Sequence, residues 1–271
     1  MRTVAPLQAT LVALITVALI ASSCTTAAGS TEPGPPSPMS SSDQESNGLG
    51  TVDPTVDATF EAVPFGATYI ARPKHVSINI YAESTAEGAQ HPDEEHHLSL
   101  LAVDGNGTLL TMGVIGEPTD GWLEVRLASR PNFSTGWVKL DDVDLTWTTM
   151  RIVIDSTDRT LTLFDGTDRV VWGTVAIGTS RTPTPTGETF VTELLASRDP
   201  LSLYGPFALG LALYSDEVTE YAGGNGQIGI HGTNRPELLG TRASLGCVRT
   251  HNDLISDLAG RVPLGTPVTI L

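Results

Sequence analysis

From Tyr69 onward the chain is written in short β-prone runs broken by Gly, Pro, Asp and Asn, and no helix-length amphipathic stretch occurs before Cys247. That patterning predicts a mainly β protein. Strands are expected at Val76–Tyr81, Leu109–Ile115, Trp122–Leu127 and Gly136–Leu140, with Trp122-Leu123-Glu124-Val125 alternating sides as a half-buried strand does. Leu145–Met150 marks a domain junction. Beyond it, strands are expected at Arg151–Asp155, Leu161–Phe164 and Arg169–Ile177, with Asp165-Gly166-Thr167-Asp168 as a turn. Only after Cys247 do Leu254, Ile255 and Leu258 supply a helical apolar face. Thr250 or Asn252 would cap that helix, Thr250 and Asp253 forming a capping box, and Gly260 would end it.

The first residues are an address. Arg2 precedes the uncharged apolar stretch Leu11–Ile20, and Ala21-Ser22-Ser23 leads into Cys24. An apolar run of that length with small residues behind it fits a secretory signal better than a membrane span. The cysteine after small residues resembles the lipobox of bacterial lipoproteins. The resemblance implies a signal peptide over 1–23, lipidation of Cys24, and an exported protein anchored by lipid on the outer face of the membrane or in the cell wall. Residues 24–58, rich in Ser, Thr, Pro and Gly, read as a flexible tether. The formal net charge of −16 excludes nucleic acid as a partner, because phosphate binding needs a positive field. His91-Pro92-Asp93-Glu94-Glu95-His96-His97 has metal-ligating residue types, but its polar, Pro-bearing character fits a solvated loop, and no metal or other cofactor is expected.

Cys24 and Cys247 are the two cysteines of the sequence. If Cys24 is lipidated or removed, Cys247 stands alone in an exported protein, either as a buried inert thiol or as a nucleophile. Its polar neighbours Ser244, Arg249, Thr250, His251 and Asn252 favour the second. A helix N-terminus just downstream would favour the thiolate and lower its pKa. Gly246 would let the backbone turn sharply and present N–H groups towards an oxyanion. His231, ending the apolar run Ile228-Gly229-Ile230, is either a core histidine capping a strand or the base, with His251 as a second candidate base.

Thr182-Pro183-Thr184-Pro185-Thr186-Gly187, His231-Gly232 and Ser244-Leu245-Gly246-Cys247-Val248-Arg249 together resemble the L,D-transpeptidase (YkuD) catalytic domain. Leu245 departs from the histidine many members carry there. The resemblance covers residues 149–271 and implies a β-sandwich catalytic domain with a short helix after the nucleophile. It also implies thioester chemistry that cross-links peptidoglycan stem peptides and is open to carbapenem acylation. Cys247 would be the nucleophile and His231 the base, oriented by the Gly232 carbonyl. Gly246 and Cys247 would form the oxyanion hole, and Ser244 and Arg249 would line the donor site. Hydrolysis of the same peptides, or a non-catalytic wall-binding lipoprotein, are the alternatives. The paired Gly-Trp strands at Trp122 and Trp137 give residues 59–148 a resemblance to a bacterial SH3-like small barrel.

Overall fold

A computed structural model describes residues 49–51, 63–82, 96–103, 107–221 and 223–271. Cys24, the apolar leader, most of the expected tether and residues 91–95 lie outside the described residues.

The first half builds one eight-stranded antiparallel sheet. Its strands are β1 (Leu49–Thr51), β2 (Thr68–Pro73), β3 (Ser77–Tyr81), β4 (His96–Leu101), β5 (Met112–Thr119), β6 (Trp122–Arg126), β7 (Thr135–Lys139) and β8 (Val143–Thr148), in the order β1-β8-β2-β5-β6-β7-β3-β4. The expected alternation is present: Leu123 and Val125 are buried while Glu124 and Arg126 are half-exposed. Between β5 and β6 the chain turns on Asp120 and Gly121, both with positive φ (50° and 80°), the two-residue geometry whose twist suits a hairpin. Ile78, Ile80, Met112, Leu123 and Val138 anchor the core of this half.

The second half follows without a spacer. Its strands are β9 (Met150–Asp155), β10 (Thr160–Asp165), β11 (Asp168–Thr174), β12 (Ile177–Gly178), β13 (Gly187–Ala196), β14 (Phe207–Tyr214), β15 (Gln227–His231), β16 (Arg242–Ser244), β17 (Val248–Arg249) and β18 (Pro267–Ile270), with helix α1 at Asn252–Arg261. Eight of them form a mixed sheet in the order β11-β10-β9-β18-β13-β14-β15-β17, and β12 pairs with β16. Alternation in β9 and β10 buries Ile152, Ile154, Leu161 and Leu163 completely. Ile255 and Leu258 of α1 join the same core, with Leu254 packed against it. The expectation of a mainly β chain with one short helix after Cys247 is borne out.

The ends of that helix differ from expectation. His251 is the N-cap, its Nδ1 accepting from the Asp253 N–H at 3.4 Å, while Thr250 is buried and donates to the His251 carbonyl. Gly260 lies within the helix, which continues to Arg261. Pro263 stops it by forcing Val262 into extended backbone.

The two sheets touch through small residues. Gly265 has a φ of +94°, and a Cβ there would sit 2.5 Å from Ile70 of β2. Gly265→Ala is therefore expected to cost about 1–3 kcal/mol through combined backbone strain and overpacking. Thermal unfolding checks this, and an unchanged midpoint would refute the close approach.

Candidate active site

Two residues of β15 and β17 bring distant parts of the sequence together. These strands run parallel, with Ile230 opposite Val248 and His231 opposite Arg249. Cys247, immediately before β17, and His231, at the end of β15, consequently line the same cavity of about 650 Å³, together with Tyr204, Tyr221, Leu245 and Glu193. Cys247 is partly exposed. His231 is almost fully buried.

The turn that carries Cys247 is tied at nearly every polar atom. Ser244 Oγ donates to the Cys247 carbonyl at 2.5 Å and accepts from the Gly246 N–H at 3.1 Å. Thr184 Oγ1 donates to the Gly246 carbonyl at 2.7 Å and accepts from the Gly178 N–H at 2.9 Å. Thr182 Oγ1 and the Thr179 N–H both donate to the Ser244 carbonyl. The Thr-Pro-Thr-Pro segment thus acts as a scaffold: its threonine hydroxyls bond the nucleophile turn, and its prolines carry no N–H of their own to satisfy. Gly246 has a φ of +127°, and a Cβ there would meet Ile228 Cδ1 at 2.8 Å. Only glycine combines that backbone with that space.

Three expectations are corrected here. Ser244 is 2% exposed and both its hydroxyl contacts are internal, so it is a strut of the turn and not a substrate contact. The Gly246 N–H, one of the two expected oxyanion donors, is engaged by Ser244 Oγ. The helix does not follow the nucleophile directly: β17 intervenes and α1 starts at Asn252, so its dipole is not what tunes the thiol. His251, exposed at the helix cap, faces a separate surface crevice with Trp172 and Leu254 and does not line the Cys247 cavity.

Burial reverses the expected electrostatics. It pushes the Cys247 thiol up from its ordinary value of 9.0, opposed by the Gly229 N–H and by the nearby Arg249 charge. It pulls the His231 imidazole down to about 4, against the favourable Gly232 carbonyl. Burial thus works against both charged forms, the thiolate and the imidazolium. His231 Nδ1 lies 2.6 Å from the Gly232 carbonyl, which can only accept, so Nδ1 carries the proton and Nε2 is the free basic nitrogen. Arg249 lies outside the cavity lining, its Nε buried without a hydrogen-bond partner among the described residues.

Two further residues were not assigned to the site from sequence. Tyr204 packs its ring against His231, with centroids 4.7 Å apart and planes at 54°. No local pattern marks it, since it sits in an irregular loop. Asn252 Oδ1 accepts from the Thr233 N–H at 2.8 Å. That N–H and the Gly232 carbonyl are two ends of one peptide plane, so Asn252 and His231 grip opposite ends of it. A Cβ on Gly205 or Gly232 would come within 2.4 or 2.3 Å of Asn252 Oδ1, so both glycines are needed for the grip. The asparagine is visible in the sequence, but only as a polar neighbour of Cys247 and a candidate helix cap.

A thiol and an oriented imidazole on adjacent parallel strands, opening on one cavity, are what cysteine-dependent acyl transfer requires. Residues 149–270 match the model of the YkuD family, the L,D-transpeptidase catalytic domain, and the resemblance carried by the motifs is borne out at that level. The chain is 38% identical over 96 residues to the putative L,D-transpeptidase YkuD of Bacillus subtilis, covering 35% of this chain and 50% of that protein. It is 38% identical over 121 residues to its namesake in Bacillus licheniformis, covering 44% and 64%. Bd1075 of Bdellovibrio bacteriovorus, a solved structure, aligns at 30% identity with a TM-score of 0.37, over 45% of this chain and 48% of that one.

With burial opposing both charged forms, alkylation of Cys247 by iodoacetamide should climb steadily as pH rises towards and beyond 9.0. A flat profile from about pH 5 upward would instead reveal a preformed thiolate–imidazolium pair. Asn252→Ala leaves the Thr233 N–H unsatisfied and should slow acylation of Cys247 about tenfold or more, with Asn252→Asp restoring most of the rate. Stopped-flow acylation measures both, and equal rates in the two variants would remove Asn252 from the site.

Proposed function

We propose that this protein is a peptidoglycan L,D-transpeptidase working through a Cys247 thioester. The observation that carries the reading is that Cys247 and the Nδ1-anchored His231 line one cavity. His231 Nε2 takes the thiol proton as Sγ adds to the carbonyl of the L-centre of a stem-peptide diamino acid. The oxyanion forms beside the Cys247 N–H. The C–N bond then breaks, and the leaving D-alanine amine takes the proton from the imidazolium. An acceptor amine attacks the thioester, its proton passes to His231, and the Cys247 thiolate departs and is reprotonated. Arg249, outside the cavity lining, bears on the thiol through its charge and not as a carboxylate contact. Because burial works against both charged forms, no ion pair need be broken before the donor binds; charge develops only where the reaction needs it.

The remaining parts follow from the sequence. Residues 59–148 serve as an SH3-like module beside the catalytic domain. Cys24 carries the lipid that holds the exported protein at the membrane, and carbapenems acylate the same sulfur.

Purified protein incubated with a stem tetrapeptide should give a cross-linked dimer, and mass spectrometry should find an acyl adduct on wild type but none on Cys247→Ala. His231→Ala should lower the rate by about a hundred- to ten-thousandfold. Free tripeptide without dimer would identify a hydrolase, and no adduct at all would leave a wall-binding protein.

A further inference from the structure

Residues 127–134 connect β6 to β7 in the first sheet, yet their polar groups are directed at the second. Arg130 Nη2 donates to the carbonyls of Ser215, at 2.9 Å, and Asn225, at 3.1 Å. Those two residues are the feet of the connection between β14 and β15. Asn132 brackets the backbone of Tyr214 as a neighbouring strand would, its Nδ2 donating to the carbonyl at 2.7 Å and its Oδ1 accepting from the N–H at 2.8 Å. The Tyr214 hydroxyl donates back to the Ala128 carbonyl at 2.9 Å, and its ring lies 5.1 Å from the Arg130 guanidinium.

The neck they grip is tightly built. The Ser215 N–H donates to the Gly226 carbonyl at 2.8 Å, and Ser215 Oγ accepts from the N–H groups of Glu217 and Val218. A Cβ on Gly226 would fall 1.9 Å from the Val218 carbonyl oxygen and 3.2 Å from Arg130 Nη2. Ser215, Val218, Asn225 and Gly226 are also wall residues of the cavity that holds Cys247 and His231. A cation from one half of the protein therefore closes the wall of the site in the other.

We infer that Arg130 and Asn132 are positioning residues through which the N-terminal half sets the shape of the donor cleft. The inference rests on the acyl-transfer reading above. Two carbonyls converging on one point repel each other unless a cation lies between them, and a fixed-charge planar guanidinium can serve both at once. Without it, the neck loses the charge that holds its two feet together and the wall relaxes, while the turn that carries Cys247 keeps its own hydrogen bonds.

Arg130→Ala, Arg130→Lys and Asn132→Ala separate this from simple adhesion between the two halves. For Arg130→Ala, KM for a synthetic stem-tetrapeptide donor should rise about tenfold with kcat within about twofold, because ordering of the wall is then drawn from binding. Iodoacetamide reactivity of Cys247 should stay within about twofold, and amide exchange at Glu217 and Val218 should accelerate at least about tenfold. Arg130→Lys should fall between, since a single ammonium is a poorer match to two carbonyls, and Asn132→Ala should share the KM effect. A lowered melting temperature with unchanged KM and unchanged exchange at 217 and 218 would overturn the inference, leaving an adhesive contact. If the wild type fails to turn the donor over, the acyl-transfer reading falls, and exchange at 217 and 218 still decides whether Arg130 holds the wall.

Discussion

Two residues of parallel pairing, Ile230 to Val248 and His231 to Arg249, hold the chemistry of this protein together. The histidine and the cysteine reach the cavity on different strands, and nothing in their local sequence joins them. Once this register is set, the remaining contacts fix orientation. The Gly232 carbonyl selects the tautomer, Asn252 holds the other end of that peptide, and the threonines of 182 and 184 fasten the turn beneath the sulfur. A one-residue slip would turn every side chain of the short β17 to its opposite face.

Burial gives the site its resting state. A helix terminus or a charged partner would have produced a standing thiolate. Here desolvation outweighs the Gly229 N–H and Arg249, and the thiol stays protonated. The same burial removes the proton from the imidazole and makes it a base throughout the neutral range.

The two halves of the chain share more than a boundary. Phe190 packs beside Gly113, Gly265 lies against Ile70, and residues 128–132 reach across to the β14–β15 connection. The cavity that Cys247 and His231 line is thus walled partly by backbone that Arg130 of the first half contacts.

Much of this was legible beforehand. Alternation in Trp122–Arg126, Arg151–Asp155 and Leu161–Phe164 determined the strands, because a half-buried strand must alternate. Glycine at 246 and proline at 183 and 185 announced a rigid nucleophile turn, since backbone limits act locally. Tertiary structure alone decided the rest. Ser244 became a strut, His251 a helix cap, Asn252 an anchor for residue 233 and Arg130 a clamp. Each of those roles depends on which carbonyl or N–H comes within about 3 Å, a distance only packing between remote segments can set. The protonation states were decided there too, since composition records which groups titrate, while burial determines how much water each one keeps.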